Sequence, residues 1–454
     1  MEQKTLIQDF TKGNITKQLY LFALPLFLSS LLQVVYNMVD MIIVGHELGK
    51  VGLSAVSVGG DVSNFLTFIA MGFCNAAQII ISQYIGAGQR EKIGRFIGTC
   101  TTSLMLLAVI VGGVCLVFRK EILWLMNTPD DAYQAALGYS TVCMTGMVFI
   151  YGYNVVSAFL RGMGDSKHPF IFISIAAVLN TVLDILFVMV YDFGAAGAAL
   201  ATVISQGISF VLCNIFLFVK RNELGFKIRA DYFIHIDKVM FMNLFKLGLP
   251  MAIKSASIHI SKLFVNSFIN SFGVAVSAFA GIANKINSIS NLVSNSLNTA
   301  GSSMVGQNVG AKQYDRVPKI MKTMFATVLV IASVMTAAVC LFPIQVFGIF
   351  TSDNAVLKIA IEYLPVAAFV FFGCAFRSPM NALINGSGNY KVNFAMALLD
   401  GIIMRIGLSA LFGIVLDYGY LGFWLGDAIA GFTPFVVGIV FYFTEAWKKQ
   451  SLEA

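Results

Sequence analysis

Residues 19–44, LYLFALPLFLSSLLQVVYNMVDMIIV, decide how the rest of the chain is read. At 1.5 Å per residue, a helix of about 26 residues reaches roughly 39 Å, more than a bilayer's hydrocarbon core of about 30 Å. Pro25 breaks this helix near its start, because proline removes a backbone donor and clashes with the preceding turn. Near its far end Asp40 stands alone between Val39 and Met41. A charge there costs at least about 2.5–3.5 kcal/mol on insertion scales, so the carboxylate must face water or a partner, or hold a proton. Two readings stand: an acid that snorkels to the interface, or a proton or cation switch.

Composition extends this reading to the whole chain. Of 454 residues, 58% are hydrophobic and only 12% charged, which excludes soluble globular classes and indicates a polytopic helical membrane protein. Forty glycines suit close helix packing in lipid. The opening MEQKTLIQDFTKGNITKQ has no signal-peptide core, so the first span is expected to be its own insertion signal. Seven cysteines lie scattered in apolar segments without CxxC spacing and read as small buried hydrophobes, neither disulfide framework nor metal site. The four histidines show no ligand spacing, so no metal and no cofactor is expected.

Apolar segments recur at about 19–44, 51–82, 93–118, 133–160, 168–190, 195–219, 243–271, 275–306, 318–343, 355–384, 390–415 and 420–446. These predict an all-α integral membrane protein of twelve spans: an N-lobe over 1–219, a cytoplasmic connector over 220–242 and a C-lobe over 243–454. With the N-terminus inside, cytoplasmic loops hold 21 Lys and Arg against 4 outside, so both termini are expected in the cytoplasm. The net charge of +7 is then a topology signal and implies no nucleic-acid partner.

The halves repeat. LFALPLFLSS (21–30) aligns with LFKLGLPMAIKS (244–255), and SQYIGAGQREKIG (82–94) with GQNVGAKQYDRVP (306–318). Tyr139/Tyr363, Gly164/Gly388, Lys167/Lys391, Asp192/Asp417 and Gly194/Gly419 keep an offset of 224 or 225. Six spans is an even number, so the halves run in the same sense, as parallel repeats about an axis along the membrane normal.

Depth gives a candidate coupling site. Counted from the outer span ends, Asp40, Asp184, Tyr139 and Thr202 all sit roughly 8–11 Å below the outer boundary. Asn180 shares a helical face with Asp184, four residues on. Two carboxylates at one depth can share a proton or a monovalent cation. For Tyr139 and Thr202 the alternative is ordinary interhelical hydrogen bonding. Span eight carries Asn284, Asn287, Asn291, Asn295 and Asn298 every three or four residues, an inward row that reads as a cavity wall. Lys254, His259 and Lys262 lie in span seven, and Arg377, Asp400 and Arg405 in spans ten and eleven. A wall carrying Lys262 would repel an organic cation. Arg405 either snorkels or pairs with Asp400, and Glu362 has Lys358 four residues away as a ready partner.

QVVYNMVDMIIVGHELG (33–49), QYIGAGQ (83–89), FLRGMGDSKHP (159–169) and the duplicated six-helix halves resemble a multidrug and toxic compound extrusion (MATE) transporter over essentially the whole chain. The first-helix acid with LNTVLD (179–184) resembles the DNA-damage-inducible (DinF-like) branch. The resemblance implies a V-shaped two-lobe architecture and cation-coupled antiport of organic compounds out of the cell. It also implies that Asp40, Asp184, Asn180, Tyr139, Thr202 and Asn154 match an N-lobe cation site. Some relatives carry acids in the seventh and tenth helices, where this seventh helix offers bases.

The expectation is thus a secondary antiporter of the inner (plasma) membrane, driven by protons or sodium, with membrane lipid and a small organic substrate as partners and a monomeric state. No GxxxxGK[ST] motif is present to supply ATP chemistry. A lipid-linked precursor flippase of the same superfamily is the alternative that the basic C-lobe suggests, and a channel or membrane enzyme the alternatives of another class. Asp61 and Lys285, offset by 224 and matched in depth, are expected to form an inter-lobe gate. Charge reversal checks it: Asp61→Lys impairs export and added Lys285→Asp restores much of it, whereas a double variant no better than the worse single contradicts the pairing.

Overall fold

The computed structural model describes residues 5–449. Lys4, one of the 21 Lys and Arg assigned to the cytoplasmic side, lies outside them. Helix follows helix along the chain, with no strand among the described residues. Eight of these helices are long and apolar enough to cross a membrane, or nine if Asp130–Thr145 and Met147–Gly162, bent by 49°, make one span. The remaining three spans have physical explanations. Ile15–Gly86 runs for 72 residues but turns at Gly49 (φ 58°, ψ −152°), a conformation glycine adopts without strain, and so contributes two. Lys238–Asn270 and Val274–Gly310 carry the basic and asparagine-rich faces that dilute their apolar content. Together these make twelve. Helix ends run a few residues past the apolar segments, the seventh beginning at Lys238 instead of 243.

The internal repeat is written in the backbone. Positive φ recurs at Gly49 and Gly273, Gly88 and Lys312, Gly164 and Gly388, Asp192 and Asp417, and Gly194 and Gly419. The first three pairs are 224 apart and the last two 225. A π-helical turn at Ile185–Val190 has its counterpart at Leu411–Val415, whereas Leu399–Ile403 is a second π turn that the first half lacks. A π turn accommodates one extra residue in a continuing helix, which accounts for the change of offset.

The chain divides into two compact units: residues up to Asp9 with Leu24–Gly248, and Phe10–Ala23 with Leu249 onward. The chain passes between units three times, at Asp9/Phe10, Ala23/Leu24 and Gly248/Leu249, the last two within two residues of a proline, Pro25 and Pro250. In the first unit, the 220–242 connector docks on the Arg90–Val117 helix. Gly94 and Gly98 permit this, since a Cβ would meet the Lys227 carbonyl oxygen at 2.0 Å and that of Tyr232 at 2.4 Å. Thr102 Oγ1 donates to the Phe233 carbonyl (2.7 Å), the Asp237 N–H donates to Thr99 Oγ1 (3.1 Å), and Arg95 pairs with Asp237 (3.5 Å). In the second unit, Phe10 N–H donates to Gln307 Oε1 at 2.8 Å, and Asn308 and Arg316 donate back to the Phe10 carbonyl. Those bonds hold the N-terminal segment against the eighth and ninth spans.

The outward faces are apolar. On the Arg90–Val117 helix, Leu106, Ile110, Val114 and Val117 are each more than half exposed at helical spacing, as a lipid-facing stripe requires. The cysteines are only partly as expected: five are buried, Cys115 is half-buried and Cys340 is exposed on such a face.

Candidate functional site

The first unit encloses a cavity of about 460 Å3. Its wall includes Gln33, Tyr36, Asn37 and Asp40, at positions i, i+3, i+4 and i+7 of the first helix and therefore on one face. Tyr139 enters from the fourth span. Its ring lies where a Cβ on Gly59 would stand, 2.5 Å from Tyr139 Cδ1, so glycine is required there. Thr202, Asn154 and Asp61 also line the cavity. Asn154 is tied to its own helix through Nδ2 and the Ile150 carbonyl (2.8 Å).

Asn180 and Asp184 lie behind this wall. Asn180 Nδ2 donates to Thr202 Oγ1 at 3.4 Å, and Asp184 follows one turn later with 0% exposure. Neither Asp184 oxygen has a hydrogen-bond partner, nor do Asp40 Oδ1, Asn180 Oδ1, Ser205 Oγ and Gln206 Oε1. Asp40 and Asp184 fall within electrostatic range of one another and of Tyr139. Five residues thus carry six buried oxygen atoms without donors, in and behind a wall that contains no lysine, arginine or histidine. Oxygen acceptors in that number suit a proton or a hard monovalent cation.

The second unit holds a cavity of about 330 Å3, and it contains Asn284, Asn287, Asn291, Asn295 and Lys262 together. Asn287 Nδ2 donates to the Tyr363 hydroxyl (3.0 Å), and Arg377 donates to Asn291 Oδ1. Asn298 is turned to Ser302 instead (3.4 Å). Arg405, 2% exposed, bridges Asp400 (3.2 Å) and Asp427 (2.5 Å). Glu362 accepts from the Tyr420 hydroxyl, which corrects the expectation of Lys358 as its partner. Lys285, expected at a gate, is exposed on the eighth span.

The two cavities are repeats of one another. Asn180–Thr202 in the first corresponds at an offset of 225 to Arg405–Asp427 in the second, and both pairs are bonded. Asp184 becomes Ser409 on the same register, and in the first and seventh spans, where Pro25 and Pro250 also stand 225 apart, Asn37 becomes Lys262 and Asp40 becomes Val265, each lining its cavity. At 224, Tyr153 becomes Arg377 and Tyr139 remains tyrosine as Tyr363. The first cavity is lined by the acids Asp40 and Asp61 with no base, and the second by Lys262, Arg377 and Arg405 with Asp427.

A family model described as MatE matches residues 25–186 and again 250–417, each match opening on one of the two prolines. The chain belongs to the MatE family. It is 27% identical to the probable multidrug resistance protein YoeA of Bacillus subtilis over 99% of this chain and 98% of that one. With the probable multidrug resistance protein YpnP of the same organism it shares 29% over 98% of each. The multidrug export protein MepA of Staphylococcus aureus is 24% identical over 89% of this chain and 90% of its own. An outward-facing multidrug resistance MATE family transporter of the MOP superfamily has the same fold, with a TM-score of 0.88 at 23% identity over 99% of both chains. A MOP superfamily transporter from Pyrococcus furiosus, described as having a binding pocket of reversed polarity, superposes with a TM-score of 0.88 at 24% identity, over 97% of this chain and 98% of that one. The chain is a multi-pass membrane protein of a transporter family.

Sequence reasoning passed over Gln33, Tyr36, Asn37, Gln206 and Asp427. The first three carry a plain signal, the i, i+3, i+4, i+7 spacing that ends on Asp40. Asp427 was signalled by charge alone: a buried guanidinium offers two faces, and Asp400 fills one. Removing Arg405 should leave two carboxylates without their bonded counter-charge. Arg405→Gln is expected to lower stability by about 3–5 kcal/mol in thermal unfolding, and adding Asp400→Asn with Asp427→Asn to recover most of it. An Arg405→Gln protein as stable as the parent would contradict the ion-pair account.

Proposed function

We propose that this MatE-family protein is a cation-coupled antiporter that exports organic compounds by alternating access of its two units, with protons or sodium taken up at Asp40 and Asp184. The observation that carries the reading is Asp184, fully buried with both oxygens unpartnered, in electrostatic range of an acid on the cavity wall. A buried carboxylate without donors is stable only when a proton or cation neutralises it, so occupancy of the pair changes the energy of the conformation that buries it. Asn180, Tyr139, Thr202 and Asn154 orient around that pair in this reading. The names of the relatives, multidrug resistance and multidrug export, support organic compounds as cargo. The first-helix acid and LNTVLD favour the DinF-like branch. The 21-to-4 distribution of Lys and Arg supports a plasma or inner membrane location with both termini in the cytoplasm. The basic second-unit cavity favours one other reading, a flippase of lipid-linked precursors.

Asp40→Asn tests the coupling. The amide preserves the shape and removes the titratable group, so the variant should fold and insert yet lose export driven by an imposed pH or sodium gradient in proteoliposomes. Flux coupled as in the parent would rule the acid pair out as the coupling site.

A further inference from the structure

The second-unit cavity has more positive charge than its own acids can balance. Lys262, Arg377 and Arg405 line it against Asp427 alone. The charge of Arg405 is already offset, because one terminal nitrogen is bonded to Asp400 and the other to Asp427. Those three residues together leave one negative charge, and Lys254, Lys262 and Arg377 stand against it. Lys254 is spent on Asn381 Oδ1 (2.7 Å), outside the cavity wall. Arg377 gives one N–H to Asn291 and has others to offer. Among the described residues Lys262 has neither a hydrogen bond nor an ion pair, although Asp427 lies within electrostatic range. Its repeat equivalent in the first unit is the neutral Asn37, so the charge is not something this scaffold needs in order to fold.

We infer that this cavity holds an anionic group of the transported compound, a carboxylate, sulfonate or phosphate, with Lys262 and Arg377 as its cationic contacts and the asparagine row as neutral donors. The step from binding to transport rests on the antiporter reading, while the charge preference rests on the cavity alone. A guanidinium beside an ammonium matches oxyanion geometry, the first by paired donors and the second as a point charge. Tyr363 and Trp424, whose rings pack edge to face at 5.1 Å, give the same wall an apolar patch for the body of an amphipathic anion. At about 330 Å3 the space is at the small end of ligand pockets, enough for one charged head and part of a ring. An organic cation would meet unscreened like charge there, and the first-unit cavity, with Asp40 and Asp61, is where positive charge is favoured.

Equilibrium binding to purified protein in neutral detergent tests this without any gradient, so a failure of the coupling reading leaves the result interpretable. The probes are carboxyfluorescein as anion and rhodamine 6G as cation, followed by fluorescence anisotropy. Wild type should prefer carboxyfluorescein. Lys262→Gln should weaken it about tenfold or more, as loss of a charge-assisted contact implies, with Lys262→Arg close to wild type. Lys262→Glu should abolish carboxyfluorescein binding and strengthen rhodamine 6G. Competition by phosphatidylglycerol over phosphatidylcholine would assign the anionic group to a lipid headgroup, and its absence to a soluble anion; either supports the charge assignment. Tighter binding of rhodamine 6G than of carboxyfluorescein to wild type would overturn it, as would carboxyfluorescein affinity unchanged in Lys262→Glu. Should the variants fail to fold, the wild-type preference decides alone.

Discussion

A carboxylate inside a bundle of apolar helices must be neutralised, and the organisation of this molecule follows from how each unit meets that requirement. In the second unit Asp400 and Asp427 share Arg405 as a fixed counter-charge, with Lys254 and Lys262 in electrostatic range of them. In the first unit neither Asp184 oxygen nor Asp40 Oδ1 has a donor, and the same holds for Asn180 Oδ1, Ser205 Oγ and Gln206 Oε1. A fixed counter-charge makes a structural site. A missing one leaves a site that an exchangeable cation could complete, which is the basis of the coupling proposed above.

The repeat makes that contrast informative. Equivalent positions on equivalent helices carry Asn37 and Lys262, Asp40 and Val265, Asp184 and Ser409. Shared backbone geometry, down to left-handed residues at Asp192 and Asp417, shows that the scaffold tolerates either set. The charges are therefore free to follow the ligand. On the reading proposed above, two cavities of different charge built on one plan would separate a cation role from a cargo role.

Much of this was legible in the sequence. The twelve spans, the duplicated halves and the asparagine row follow from periodicity and spacing, because lipid leaves a polar helical face only the interior. The grouping of Asn180 with Thr202, which the structure shows bonded, was partly legible, since the fixed rise per residue puts Thr202 level with Asp184 and Asn180 one turn away on the same face. Other features depend on three-dimensional closeness that no local pattern encodes. Neither the exchange of Phe10–Ala23 into the second unit nor the docking of the connector on Gly94 and Gly98 has a sequence signature beyond glycines common throughout this chain. The π turn at Leu399–Ile403 becomes readable only once the offset change from 224 to 225 is noticed. The partner of Glu362 was misassigned because the i, i+4 neighbour Lys358 is the obvious one, whereas Tyr420 is fifty-eight residues away.

Charge movement on solid-supported membranes tests the acid pair most directly, because it reads the ion entering its site and needs no knowledge of the cargo. A pH or sodium jump on membranes carrying the parent protein should give a transient capacitive current, and Asp184→Asn protein, inserted at the same density, should give none. An undiminished current in Asp184→Asn would contradict the account and send the coupling ion elsewhere.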